Sequence, residues 1–210
     1  MMVPIESIVE DTVTDLSHLI LASGSPRRKQ WLEALKIPFR VMIPDIDETP
    51  QAQEGAQALV ERLAQAKADL ISRSHIESWV LAADTTVSLK GEILNKPIDE
   101  RDAMAMLTRL QGQTHEVHTG CCLRRGDRCI LIHDKAWVTF RTMSKEEIEW
   151  YVATREPMGK AGSYAIQGQG AYFIERVEGS YATVMGLPIE KLIPHLKSLH
   201  LLKTWVLLPD

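Results

Sequence analysis

Residues 18–29 read His18-Leu19-Ile20-Leu21-Ala22-Ser23-Gly24-Ser25-Pro26-Arg27-Arg28-Lys29, an apolar strand running straight into a helix start. Ser25 takes the N-cap position and Pro26 the first helical position, while Trp31, Leu32 and Leu35 supply an apolar helical face. Arg27, Arg28 and Lys29 therefore fall in the first turn, at the positive pole of the helix dipole. Each cation there costs about 0.3–1 kcal/mol unless an anion sits beside it. A helix N-terminus with unpaired N–H groups, the hydroxyls of Ser23 and Ser25 and two guanidiniums is suited to holding phosphates. The competing reading is a solvated basic turn.

Outward from that stretch, strand and helix signals alternate, as in an α/β fold. Pro38 to Ile43 is extended and ends in the carboxylates Asp45, Asp47 and Glu48. A helix from Ala56 to Ile71 follows. With Leu59 at zero, Leu70 falls at about 20°, Leu63 at about 40° and Ile71 at about 120°, so Lys67 at about 80° lies inside the apolar stripe. Its ammonium either snorkels to solvent along its stem or meets an anion or carboxylate in a cleft. Trp79 to Ala83 is a short apolar strand delivering Asp84 at its end, beside the hydroxyls of Thr85 and Thr86. Strand ends are where α/β proteins open ligand crevices, although an aspartate there also caps turns. Taken alone, Asp47-Glu48 reads as a solvated loop and Lys96-Pro97 as a surface turn.

Further along, Asp99 caps a helix carrying Ala103, Met106, Leu107 and Leu110, closed by Gly112. His115 to Leu123 and Ala136 to Arg141 read as strands, and Ser144-Lys145-Glu146-Glu147 is a capping box opening a helix through Tyr151. Five of the twelve glycines lie between Gly162 and Gly186, where backbone turns sharply or nears a ligand. A last helix begins near Pro188, followed by an apolar tail. His115, His118 and His133 lack metal-ligand spacing and read as structural, while Met104, Met106 and Met143 read as filler.

Composition bounds the function. A net charge of −4 without basic blocks disfavours nucleic acid and membrane surfaces as partners, so a bound anion should be small. Cys121, Cys122 and Cys129 make neither a CxxC pair nor an even disulfide set, which suits a reducing compartment and no zinc. Residues 1–17 are an acidic N-terminal extension without the features of a signal peptide, and no apolar run approaches about 18 residues. The expectation is a cytoplasmic chain with one domain over residues 18–210.

The ordered blocks Leu21 to Arg28, Asp47-Glu48, Leu63 to Ala68 and Ala82 to Val87 resemble the successive motifs of the Maf family of nucleotide pyrophosphatases. So do Asn95-Lys96-Pro97, Leu110 to His115, Lys160 to Gly170, and Gly179 through Pro188. This resemblance implies an elongated, mixed, mostly antiparallel sheet with flanking helices, in two lobes around a central cleft, similar to the inosine-triphosphatase folds and usually dimeric. It implies hydrolysis of a nucleoside triphosphate to monophosphate and pyrophosphate with a divalent cation, Mg²⁺ or Mn²⁺. Asp84 matches the family's general base, and Arg27, Thr85 and Gln167 match positions of base selection in the branch preferring thymidine and uridine triphosphates.

For that chemistry, Ser23, Ser25, Arg27, Arg28, Lys67, Lys96 and Lys160 are the expected phosphate ligands, and Glu48 and Asp84 the expected metal ligands. Asp84 either takes the water's proton or holds the metal that acidifies that water. One departure stands out: family members carry aspartate where this chain has Gly159, and Glu156 is the neighbouring carboxylate that remains. Two alternatives stay open, a nucleotide-binding regulator of division or septum formation and a 7-methyl-GTP pyrophosphatase.

Overall fold

The strand at the head of the quoted stretch is β1 (Leu19–Ala22), buried along its whole length. The computed structural model describes residues 19–202; the extension at 1–17, His18 and the apolar tail past 202 lie outside the described residues. From β1 the chain turns into α1 (Pro26–Ala34), returns as β2 (Arg40–Met42), crosses over through α2 (Ala56–Ser72), and returns as β3 (Trp79–Leu89). Both β2 and β3 pair parallel to β1, as strands joined by helical crossovers do. The remaining strands are antiparallel: β4 (Glu92–Leu94), β5 (Thr114–Arg125), β6 (Arg128–Phe140) and β7 (Ile174–Glu178). The result is a mixed seven-stranded sheet of order β2-β1-β3-β5-β6-β7, with β4 beside β3.

Two large apolar cores divide the long strands between them. One gathers Leu19, Leu32, Leu81, Leu123, Leu192 and Leu196, joining the first half of β3 to α1 and to the last helix (Ile189–Ser198). The other gathers Val87, Leu107, Phe140, Ile148, Tyr151 and Phe173, joining its second half to α3 (Glu100–Leu110) and α4 (Lys145–Ala153). Asp99 accepts the Asp102 N–H at 2.7 Å, and Ser144 and Glu147 form the reciprocal capping box, so both helix starts are set by local sequence.

Three expectations need correction. The strand carrying Asp84 does not stop at Ala83: β-branched Thr85, Thr86 and Val87 extend it to Leu89 against β5. Likewise β6 begins at Arg128 instead of Ala136, because Gly126-Asp127 is a two-residue hairpin turn and residues 128–135 continue the β5 ladder. In α1 the buried pair is Arg28 and Leu32, with Trp31 and Leu35 only partly covered. An arginine occupies the inward face because polar partners await it there.

The extension of β3 creates the crevice. On one edge β1 covers Leu19 to Ala22 opposite Trp79 to Ala82, and β4 covers Val87 to Leu89. Residues 83–86 pair only with β5. The sheet therefore has a gap beside Asp84, at the junction of the two cores.

Candidate active site

Successive residues of β3 point to opposite faces of the sheet, so Asp84 and Thr85 address different neighbours across one gap. Asp84 shares its face with Val80 and Ala82, which pack on Ala64 and Ala68 of α2. Lys67 lies on that same helical stripe and is 5% exposed. Its Nζ stands 2.6 Å from Asp84 Oδ1 and 2.6 Å from Glu48 Oε1, and Lys96 Nζ holds the other Glu48 oxygen at 2.6 Å. Burying an ammonium costs several kcal/mol unless it is paired, and here two carboxylates pair it. Burial alone would raise the Glu48 carboxyl, but the hydrogen bonds from Lys67 and then Lys96 prevail and bring it down to about 2.

Gly120, the cross-strand partner of Asp84, makes this approach possible. A β-carbon there would overlap the Val60 carbonyl, so only glycine lets α2 pack this closely on β5.

On the other face, Arg28 is buried and fully directed at the protein. It donates from Nε to the Gly186 carbonyl at 2.8 Å, from one terminal nitrogen to Ser23 Oγ at 3.0 Å and from the other to Thr85 Oγ1 at 3.1 Å. Thr119 Oγ1 donates to the Thr183 carbonyl at 2.8 Å, which leaves the Thr85 hydroxyl proton to Thr119 at 3.0 Å. Both the Thr85 hydroxyl and Arg28 are thus occupied by partners that the sequence did not reveal, and both still line the cleft. Ser23 Oγ also accepts the Ser25 N–H at 3.2 Å, whereas the Ser25 hydroxyl makes no capping bond to α1. Lys29 turns outward to Glu33 at 3.5 Å.

Arg27 behaves differently from its neighbour. Its Nε is buried without a hydrogen-bond partner, and burial lowers its pKa from the ordinary arginine value. Lys160 faces the same space, donates to the Glu156 carbonyl at 2.5 Å, and is also lowered, by burial first and by Arg27 second. These groups, Ser23, Ser25, Glu48, Lys67, Asp84, Thr85, Lys96 and Gln167 border one open cleft of about 690 Å³, a volume suited to a small ligand. The Gln167 amide is exposed there. All the expected site residues are thereby brought together.

His115 is buried against Tyr164 at 2.9 Å, and burial lowers its pKa to about 3, so it is neutral and structural. Among the described residues, no cluster of three or more His, Cys, Asp or Glu side chains is arranged to hold a metal ion.

The mixed sheet with its flanking helices is a fold shared with a solved protein. A Ham1 protein from Coxiella burnetii superposes with a TM-score of 0.50 at 13% identity, over 87% of this chain and 99% of its own, a likeness of fold. The family described as Maf-like protein matches residues 18–199, and this chain belongs to the Maf family. A dTTP/UTP pyrophosphatase from Myxococcus xanthus (strain DK1622) is 47% identical over 192 residues, 91% of this chain and 97% of that protein. Another dTTP/UTP pyrophosphatase, from Bacillus cytotoxicus, is 44% identical over 182 residues, covering 87% and 95% respectively.

Proposed function

We propose that this chain hydrolyses dTTP and UTP to the nucleoside monophosphate and pyrophosphate. The observation that carries the reading is the meeting of two unlike groups in one cleft: an arginine at a helix start with a buried, unpartnered nitrogen, and an aspartate held by a buried lysine. The first suits an anion. The second suits proton transfer.

In this reading, Arg27, Lys160, the Ser25 hydroxyl and the first amides of α1 receive the phosphate chain. Asp84 takes a proton from water as its oxygen attacks the α-phosphorus and the α–β bridging bond breaks, with the electron pair leaving on pyrophosphate. Lys67 holds the Asp84 carboxylate in place, and Lys96 lies where it can neutralise charge on the leaving group. The hard oxygens of Glu48 and Asp84 fit Mg²⁺ or Mn²⁺, which bind through one or two carboxylates plus substrate phosphates. Such an ion would neutralise phosphate charge and acidify water. Gln167 offers both donor and acceptor to the O4/N3 edge of uracil or thymine, and Thr85 contributes mainly by orienting Arg28.

The work suits the cytoplasm, where nucleoside triphosphates reside, and a homodimer is the expected assembly, to be checked by light scattering. The deciding experiment measures specificity constants over canonical and modified triphosphates with products resolved. dTTP and UTP should lead, 7-methyl-GTP should trail, and monophosphate and pyrophosphate should appear together. A lead for 7-methyl-GTP, or orthophosphate as first product, overturns the reading; no turnover of any triphosphate would favour a binding regulator.

A further inference from the structure

Gln167 is exposed and stands on a glycine-flanked loop, so where its amide points depends on what holds that loop's backbone. The holding groups come from just past α4. Glu156 accepts the Gln169 N–H at 2.9 Å on Oε2 and the Gly170 N–H at 3.0 Å on Oε1, and the second oxygen also accepts the Tyr151 hydroxyl at 2.8 Å. Tyr151 is fully buried, and its hydroxyl oxygen accepts the Ala165 N–H at 3.1 Å. Both ends of the segment 165–170 are thus tied to one tyrosine–glutamate pair. The loop wraps so closely that a β-carbon on Gly168 would overlap the Glu156 carboxylate, and one on Gly170 would lie 2.5 Å from the Tyr151 oxygen.

We propose that Glu156, backed by Tyr151, is a positioning residue for base recognition: it clamps the backbone of residues 165–170 so that the Gln167 amide is presented to the base in a fixed orientation. This rests on the nucleotide reading above. Two backbone amides on a carboxylate are charge-assisted bonds that stay made only while the carboxylate is ionised. Burial pushes the Glu156 carboxyl up, but the amides of Gly170 and Gln169 and the Tyr151 hydroxyl together hold it below its ordinary value. Glutamine in its place keeps one acceptor oxygen and turns an NH₂ toward the other donors, so at least one amide loses its partner.

The test compares two substrates that share the triphosphate but present opposite base edges, dTTP with a carbonyl acceptor beside an N–H donor and dCTP with an NH₂ donor beside a ring-nitrogen acceptor. Glu156→Gln should lower kcat/KM for dTTP tenfold or more through KM, while dCTP, which the fixed amide does not match, changes less than threefold. Tyr151→Phe should shift the same ratio by a smaller factor, and Gly168→Ala should mimic Glu156→Gln. The Glu156→Gln/Tyr151→Phe double variant should fall short of the product of the single effects, since both act through one clamp. Equal losses on both substrates, or an unchanged ratio in the folded Tyr151→Phe and Gly168→Ala proteins, would overturn the clamp. Wild-type protein that hydrolyses neither triphosphate removes the nucleotide reading itself, a different failure read from a different sample.

Discussion

The two faces of β3 at the gap are organised in opposite ways. Behind Asp84, charges are balanced: Lys67 is shared by Asp84 and Glu48, and Lys96 completes the row. Behind Thr85, Arg28 is spent on neutral oxygens, and Arg27 is left with an unpartnered nitrogen. A balanced row fixes a carboxylate in place, as a base requires; an unbalanced cation gains most from an incoming anion. Reaction and recognition are thereby separated by a single residue step along one strand.

The strongest way to break this contrast is Asp84→Asn. It retains shape and leaves Lys67 paired with Glu48, so folding should survive, while turnover should drop about a hundredfold or more, the scale for losing a general base. Near-normal turnover of dTTP by the variant would show that Asp84 neither takes the proton nor holds an essential ion. Next in size is Lys67→Met, which leaves two carboxylates facing each other. Turnover should fall tenfold or more. Stability should drop by about 1–3 kcal/mol, below the usual scale for a broken buried pair because Glu48 is 39% exposed and screened by water. Thermal melts and steady-state kinetics on the same preparation check both; unchanged kinetics in a destabilised variant would make Lys67 a structural strut.

Much of this organisation was legible in the residues and some was not. The basic first turn of α1, Lys67 inside an apolar stripe and the caps at Asp99 and Ser144 are local patterns, visible because helix periodicity and capping act over three or four residues. The path of β3 through Asp84 was not, since a carboxylate in a buried strand is tolerated only when a distant helix brings an ammonium to it. Thr85 and Arg28 looked available to a ligand because their partners, Thr119 and the Gly186 carbonyl, lie far along the chain. Gly120 carried no signal at all: its need for a missing side chain exists only once α2 lies against β5. The Gly126-Asp127 turn was missed: a two-residue Gly-Asp link is a hairpin signal, but residues 128–135 show no apolar alternation, so the strand after it reads as beginning at Ala136.

Arg27→Ala probes the unbalanced face. A charge-assisted bond to phosphate contributes about 1.5–3 kcal/mol, and in a cleft open to water the lower end applies, so KM for dTTP should rise about tenfold with a smaller change in kcat. Without ligand the melting temperature should stay level or rise slightly, because the variant no longer buries an unpartnered guanidinium nitrogen at a positive helix end. Loss of apo stability with intact kinetics would turn Arg27 into scaffolding and erase the contrast with Arg28.

The smallest expected effect belongs to Gly159→Asp, which installs the acid that the family resemblance leads one to expect at this position. Gly159 has a φ of +72°, so any side chain there is strained, though aspartate tolerates this region better than most; a β-carbon meets nothing within 4 Å, so space does not oppose the change. The stability loss should be about 0.5–1 kcal/mol, a fall of a few degrees at most in melting temperature for a chain of this size. The new carboxylate would enter a cleft bordered by Arg27 and Lys160 and compete with phosphate for their charge. Turnover of dTTP should therefore stay within threefold of the parent. A clear rise in kcat in the variant would show that the carboxylate belongs to the reacting site, and that the charge-balanced row behind Asp84 reaches across the gap to the second face.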